Sequence, residues 1–163
     1  HAAVQAARRS GMHAASAFLF SHESPTRSEK FVVGKVVSAA KRLKAGSTER
    51  LQLGNLNIVR DWGFASEYMQ CMALMSEMDE PEDFVVATGR SVRLQHLIGD
   101  IFSAVGCDWQ DHVDSRQIPS RPADILEQHA HPAKAKRMLG WEAQIVGADL
   151  ADALVNSGES AGT

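Results

Sequence analysis

A short, mainly apolar run, Ala14 to Phe20, stops at the polar string Ser21-His22-Glu23-Ser24-Pro25. A run this short, with no polar alternation, suits a parallel strand covered on both faces. Before it, Ala2, Ala3, Ala6 and Ala7 share one helical face, Arg8 and Arg9 suit the negative end of a helix, and Gly11 can cap it. Helix then buried strand is half of a βαβ unit, so the pattern predicts an α/β fold. Ligands of such sheets bind beyond the carboxyl ends of the strands. The polar string begins at that point.

After Pro25, Val33, Val36, Val37, Ala40 and Leu43 recur at helical spacing until Gly46, leaving Lys35, Lys41 and Arg42 on other faces. A short strand over Leu51 to Leu53 leads into a Gly54-Asn55 turn. Ala65 to Met78 reads as a helix apolar around most of its circumference, hence buried on two sides. Met69, Met72, Met75 and Met78 and the neighbouring Cys71 are read as core packing. Phe84 to Ala87 reads as a strand, and Ser91 as the N-cap of a helix that ends near Gly106. Trp109 to Val113 is read as a strand, with short helices over Pro132 to Leu139 and Ala148 to Val155 and a disordered tail from Ser157. The change of pattern near Pro25 sets the expected seam: residues 1–24 end one domain, 25–157 form a second and 158–163 form the tail.

Bulk properties exclude several classes of function. A net charge of -3 without a Lys/Arg block argues against nucleic acid, and no apolar run approaches the ~20 residues of a membrane helix. Cys71 and Cys107 are too few for a disulfide scaffold or a thiolate zinc site. His129 and His131, one residue apart without supporting ligands, make a weak metal site, and loop histidines are the better reading. Trp62 and Trp141 are expected to pack against the body. The chain opens on His rather than Met and shows no signal core, so a truncated cytoplasmic protein is expected. An unpaired strand at Ala14 to Phe20 would expose apolar surface and make the isolated chain poorly soluble.

Four strings, SHESP, Phe31-Val-Val-Gly-Lys35, Gly54-Asn-Leu-xxx-Arg60-Asp-Trp-Gly63 and Pro81-Glu-Asp-Phe-Val-Val-Ala-Thr-Gly89, together resemble the GDP-mannose 4,6-dehydratase family over about His1 to Trp141. The resemblance implies the end of a Rossmann-type parallel sheet followed by a smaller mixed α/β substrate-binding domain. It implies the short-chain dehydrogenase superfamily, NADP as cofactor, and conversion of GDP-mannose, or a related nucleotide sugar, to the 4-keto-6-deoxy sugar. Such an enzyme needs roughly twice this length. The family's glycine-rich loop, Thr, Glu and Tyr-xxx-Lys pair would all lie ahead of His1, so no catalytic residue is expected here and the isolated chain should not turn over. Homo-oligomer formation would then run through the missing half. Tyr68 has no Lys four residues on and does not replace the missing tyrosine.

By this resemblance His22 and Arg27 contact the cofactor: an imidazole can hold an amide or ribose, and a guanidinium a phosphate or ribose oxygen. Ser21, Lys35, Asn55, Arg60, Arg121 and Asp124 would contact the substrate. Asn55 suits the edge of a guanine, while Lys35, Arg60 and Arg121 suit the diphosphate. A structural Arg60 paired with Asp61 is the competing account. Two positions depart from the family: Ser21 stands where Asn is usual, and Asp124, where Glu is usual, retracts its carboxylate by one methylene. A related nucleotide-sugar epimerase or reductase, or a non-catalytic nucleotide-binding module, are the alternatives.

Overall fold

The computed structural model describes residues 2–115 and 125–156. Helices α1 (Ala2–Arg9) and α2 (Val32–Lys44) bracket strands β1 (Ala17–Leu19) and β2 (Ser21–Glu23). Then come β3 (Leu51–Leu53), β4 (Val59–Phe64), α3 (Ala65–Ser76), β5 (Phe84–Val86), β6 (Ser91–Arg93) and α4 (Leu94–Ser103). The short α5 (Trp109–His112), β7 (Val113–Ser115), α6 (Ala133–Leu139) and α7 (Ala148–Asn156) complete the described elements. This is the mixed α/β architecture expected from the apolar pattern.

The strands form three small sheets: β1 beside β5, β2-β4-β6, and β3 beside β7. The β1–β5, β2–β4 and β3–β7 pairs are parallel, and β6 returns antiparallel to β4. Parallel pairs need long crossovers, and α2 and α3 lie within those crossovers. Only Phe20 separates β1 from β2, yet the two strands belong to different sheets.

Two buried clusters hold these layers. The larger joins Val33, Val36 and Val37 of α2 to Leu97, Ile98 and Ile101 of α4 and Leu150 and Leu154 of α7, with Trp62 at its edge. Each such side chain contributes about 1.5–3 kcal/mol when fully buried. The smaller gathers Tyr68, Cys71 and Met75 of α3, Phe84 and Val86 of β5, Ala135 of α6 and Trp141. It packs against Ala17 of β1, so the chain recrosses to the first strand after α3. Trp62 and Trp141 are buried as expected, and Cys71 is core packing, its thiol pushed up to about 11 by burial.

Several elements differ from the sequence reading. β1 is shorter than the apolar run and, with β5 its one strand partner, leaves Phe18 and Leu19 exposed instead of covered on both faces. Ser21 to Glu23 forms a strand rather than a loop, because it zips onto Trp62 to Phe64 of β4. The methionine stripe is only partly core: Met75 is buried while Met69 and Met72 are exposed. A step of three residues falls about 60° short of a full turn, so four such residues spread around half the helix instead of marking one face. Correspondingly, α3 is buried on one side rather than two. Arg93, not Ser91, precedes α4, and Ser91 lies in β6 with its hydroxyl donating to Gln128 O at 2.8 Å. The predicted strand from Trp109 is a helical turn, since the Asp108 carboxylate accepts from Gln110 N and caps it. The expected disordered tail lies outside the described residues.

Candidate functional site

A cleft of about 270 Å³ opens where β1 gives way to β2, lined by Leu19 to Glu23, Arg27 and Gln128. Thus Ser21, His22 and Arg27 are brought together. The Ser24–Arg27 turn, closed by Arg27 N–H donating to Ser24 O at 3.0 Å, folds the guanidinium back toward the strand. Gln128 arrives on a segment that pairs with β4, its N–H donating to Val59 O.

The chemistry of His22 is set by its partners. Nδ1 lies 2.9 Å from Phe20 O. A carbonyl only accepts, so the proton sits on Nδ1, and in the neutral ring Nε2 keeps a lone pair for a ligand N–H or O–H. The imidazole rests against the Tyr68 ring, with 5.2 Å between centroids. Tyr68 is fully buried and its hydroxyl points to Asp61 Oδ1 at 3.5 Å. Burial, then the charge of Asp61, raise the phenol far above its ordinary range. It is therefore a fixed donor and a platform for His22, not an acid or base working near neutral pH.

Asp61 is the hub that sequence reasoning missed. It is fully buried and accepts from Thr88 N, Thr88 Oγ1 and Gly89 N, each at 2.8 Å. The turn after β5 is thereby locked to β4, and the positive φ of Gly89 (75°) lets consecutive amides face one carboxylate. A carboxylate buried beside Trp62 and Gly63 must find donors, and the Ala-Thr-Gly after β5 supplies them. Glu67, also missed, is buried on α3 and accepts from Gln144 N and Ile145 N, which ties down the chain between α6 and α7.

The remaining assignments lie outside this cleft. Lys35 Nζ donates to Gln52 O at 2.8 Å, which links α2 to the strand leading into the Asn55 turn. Asn55 is exposed, and its Oδ1 accepts from Asn57 N at 2.9 Å, the bond that shapes this turn. Arg60 does not pair with Asp61. Its fork donates to the carbonyls of Val59, Leu126 and Ile125, holding residues 125–126 against β4. Arg121 and Asp124 lie outside the described residues. His129 is exposed, 3.3 Å from Glu127, and among the described residues no group of three or more metal-ligating side chains converges. No helix among them is long and apolar enough to cross a membrane.

Known proteins resemble this chain in sequence and in fold. GDP-mannose 4,6 dehydratase 1 of Arabidopsis thaliana is 40% identical over 135 residues, covering 83% of this chain and 37% of the relative. GDP-mannose 4,6-dehydratase of Sinorhizobium fredii (strain HH103) is 35% identical over 162 residues, covering 89% of this chain and 46% of the relative. The chain thus spans less than half the length of these curated relatives. Among solved structures, RMD from Pseudomonas aeruginosa complexed with NADPH superposes with a TM-score of 0.80 at 19% identity, over 93% of this chain and 49% of that one. The dTDP-glucose 4,6-dehydratase DesIV from Streptomyces venezuelae with NAD and TYD bound gives 0.75 at 21% identity, over 93% and 46%. These similarities establish a Rossmann-type fold. The family model described as GDP-mannose 4,6 dehydratase matches residues 1–153, and the chain belongs to that family.

Proposed function

We propose that this chain is the substrate-binding part of an NADP-dependent enzyme converting GDP-mannose to GDP-4-keto-6-deoxymannose, and that it supplies binding contacts rather than the proton-transfer groups. The observation that carries this reading is the cleft itself: Ser21, His22 and Arg27 converge where parallel strands end, in a chain of this family. The donor set fits a nicotinamide cofactor. His22 offers an acceptor nitrogen, and Arg27 a cation whose exposed part lines the cleft. The neighbouring structures crystallised with NADPH and NAD support a cofactor of that class, and TYD in one of them supports a nucleotide-sugar partner. When bound, the cofactor supplies hydride acceptance and return.

This chain's residues do the holding. His22, fixed by Phe20 O and the Tyr68 ring, accepts from the cofactor through Nε2, while Arg27 takes an oxygen of its ribose or phosphate. Ser21 at the cleft, Lys35, Asn55, Arg60, Arg121 and Asp124 form the side that takes the GDP-sugar. Tyr68 keeps its proton, and on this proposal acid–base work falls to groups outside this chain. The domain seam near Pro25, cytoplasmic location and homo-oligomer assembly through the rest of the protein belong to the same proposal.

The test is ligand titration of the full-length polypeptide with NADPH and with GDP. A hydrogen bond to a charged group contributes about 1.5–3 kcal/mol, so Arg60→Ala is expected to weaken GDP binding roughly ten- to a hundredfold and leave NADPH affinity alone. Unchanged GDP affinity would confine Arg60 to holding the 125–126 carbonyls. No binding of NADPH by the wild type would reject the proposal as a whole.

A further inference from the structure

Glu23 ends β2 with its side chain 4% exposed, and Arg27 Nε lies 3.3 Å from its Oε2. Yet neither atom has a hydrogen-bond partner. The charges are close, but the N–H is not aimed along the line to the oxygen, so the ion pair stands without its hydrogen bond. The guanidinium carbon sits 3.8 Å from the centre of the Phe31 ring, which covers one face of the fork. With Nε buried beside Glu23 and that face on Phe31, the exposed third of the side chain lines the cleft next to His22. Arg27 is therefore gripped from behind.

The other charged groups on the elements packed around β2 are engaged elsewhere. On β4, Asp61 serves the Thr88 and Gly89 amides, and Arg60 the carbonyls of Ile125 and Leu126. On α3, Glu67 accepts from Gln144 and Ile145, and Tyr68 lies against His22, whose Nδ1 is committed to Phe20 O. Arg27 is the charge that acts on Glu23. Burial pushes the Glu23 carboxyl up to about 7, with the positive charge of Arg27 pulling it down. The pair thus passes between neutral and cationic across the neutral range.

We propose that Glu23 is a positioning residue for anion binding in this cleft: it holds Arg27 against Phe31 with the outer edge of the fork toward the ligand, and its protonation frees the full charge of Arg27 for a cofactor phosphate. The inference rests on the reading of Arg27 as a cofactor contact. The sign follows directly. Above about pH 7 an ionised Glu23 cancels the charge of Arg27 and opposes an anion, whereas below it the neutral carboxyl leaves one net positive charge. Affinity rises as pH falls, and binding takes up a proton from solvent.

NADPH is the probe, titrated by its nicotinamide fluorescence into the full-length polypeptide at pH 6 and pH 8. Wild type is expected to bind about tenfold tighter at pH 6, the size of effect a single nearby charge has at a partly solvated site. Glu23→Gln keeps an oxygen facing Nε but carries no charge, so that part of the pH effect should vanish with affinity fixed near the wild-type pH 6 value. Titration of the probe itself is shared by both proteins and cancels in the comparison. Glu23→Ala also carries no charge but leaves Arg27 ungripped, so it should bind roughly tenfold more weakly than Glu23→Gln at both pH values. An equal pH ratio in wild type and Glu23→Gln overturns the proposal, as does Glu23→Ala binding as tightly as Glu23→Gln. If Glu23→Ala does not fold, the near-isosteric Glu23→Gln comparison decides alone. Arg27→Ala separates the two readings: unchanged NADPH affinity there defeats Arg27 as a contact, whereas a loss there with Glu23→Ala binding as tightly as Glu23→Gln defeats only the role of Glu23.

Discussion

Asp61→Ala is expected to destabilise the fold by about 4 kcal/mol, because it strands the amides of Thr88 and Gly89 in a buried site at roughly 1–3 kcal/mol each. The Asp61 side chain is fully buried and both its oxygens are occupied by 2.8 Å bonds, so no solvent stands ready to replace it. Thr88 Oγ1 also loses its acceptor, although it retains the Arg90 backbone, and the Tyr68 hydroxyl is left pointing into a void. Asp61→Asn should recover part of the loss, since one carbonyl oxygen survives but the new NH2 opposes a backbone donor. Urea denaturation read by the buried tryptophans measures both variants. A loss below about 1 kcal/mol for Asp61→Ala would mean that the turn after β5 finds other acceptors, and the hub role would fall. Because Asp61 orients the phenol beneath His22, the same variant should weaken NADPH binding under conditions where it remains folded.

Gly34→Ala carries the second large effect, and two opposing contributions decide its sign. Alanine within α2 favours the helix by about 0.5–1 kcal/mol. Against that, a Cβ at Gly34 would run into the carbonyl oxygens of Ser28 and, at 2.5 Å, of Arg27. These are backbone atoms of the turn that aims Arg27 into the cleft, so relief requires moving the turn rather than rotating a side chain. Overpacking of this kind costs about 1–3 kcal/mol or more, and a net loss of about 2 kcal/mol is expected. Thermal unfolding gives the stability and NADPH titration the placement of Arg27. A variant as stable as wild type with undiminished affinity would mean that the Arg27 turn is not seated on α2.

What the sequence revealed followed from periodicity. α2 was legible from Val33 to Leu43 because its buried face repeats cleanly, and the Gly140 end of α6 because its φ of 63° is a glycine conformation. β4 was not, since Val-Arg-Asp-Trp-Gly-Phe alternates poorly: its buried Asp61 is satisfied by residues 27 positions away, which no local window displays. α5 reads as a strand from sequence because a one-turn helix held by Asp108 has no period to detect. Of the candidate site residues, Ser21, His22 and Arg27 share the cleft because one strand and one turn carry all three. Lys35, Asn55 and Arg60 lie on other elements, and the long-range bonds that occupy Lys35 and Arg60 leave no mark in residue spacing. Glu23 was in plain view within its motif but gave no sign of being buried beside Arg27, which depends on the register of β2 against β4.

The passage from β1 to β2 has a mechanical meaning. Phe20 is a crease between two sheets: its N–H donates to Val86 on the β5 side, while its carbonyl holds His22 on the β4 side. The same two sheets are also joined through Asp61 of β4, which accepts from Thr88 and Gly89 just beyond β5. The imidazole is thus fastened at the seam, with His22 itself paired opposite Gly63 of β4. The direction of Nε2 is set by both sheets at once, and a change in either would re-aim it.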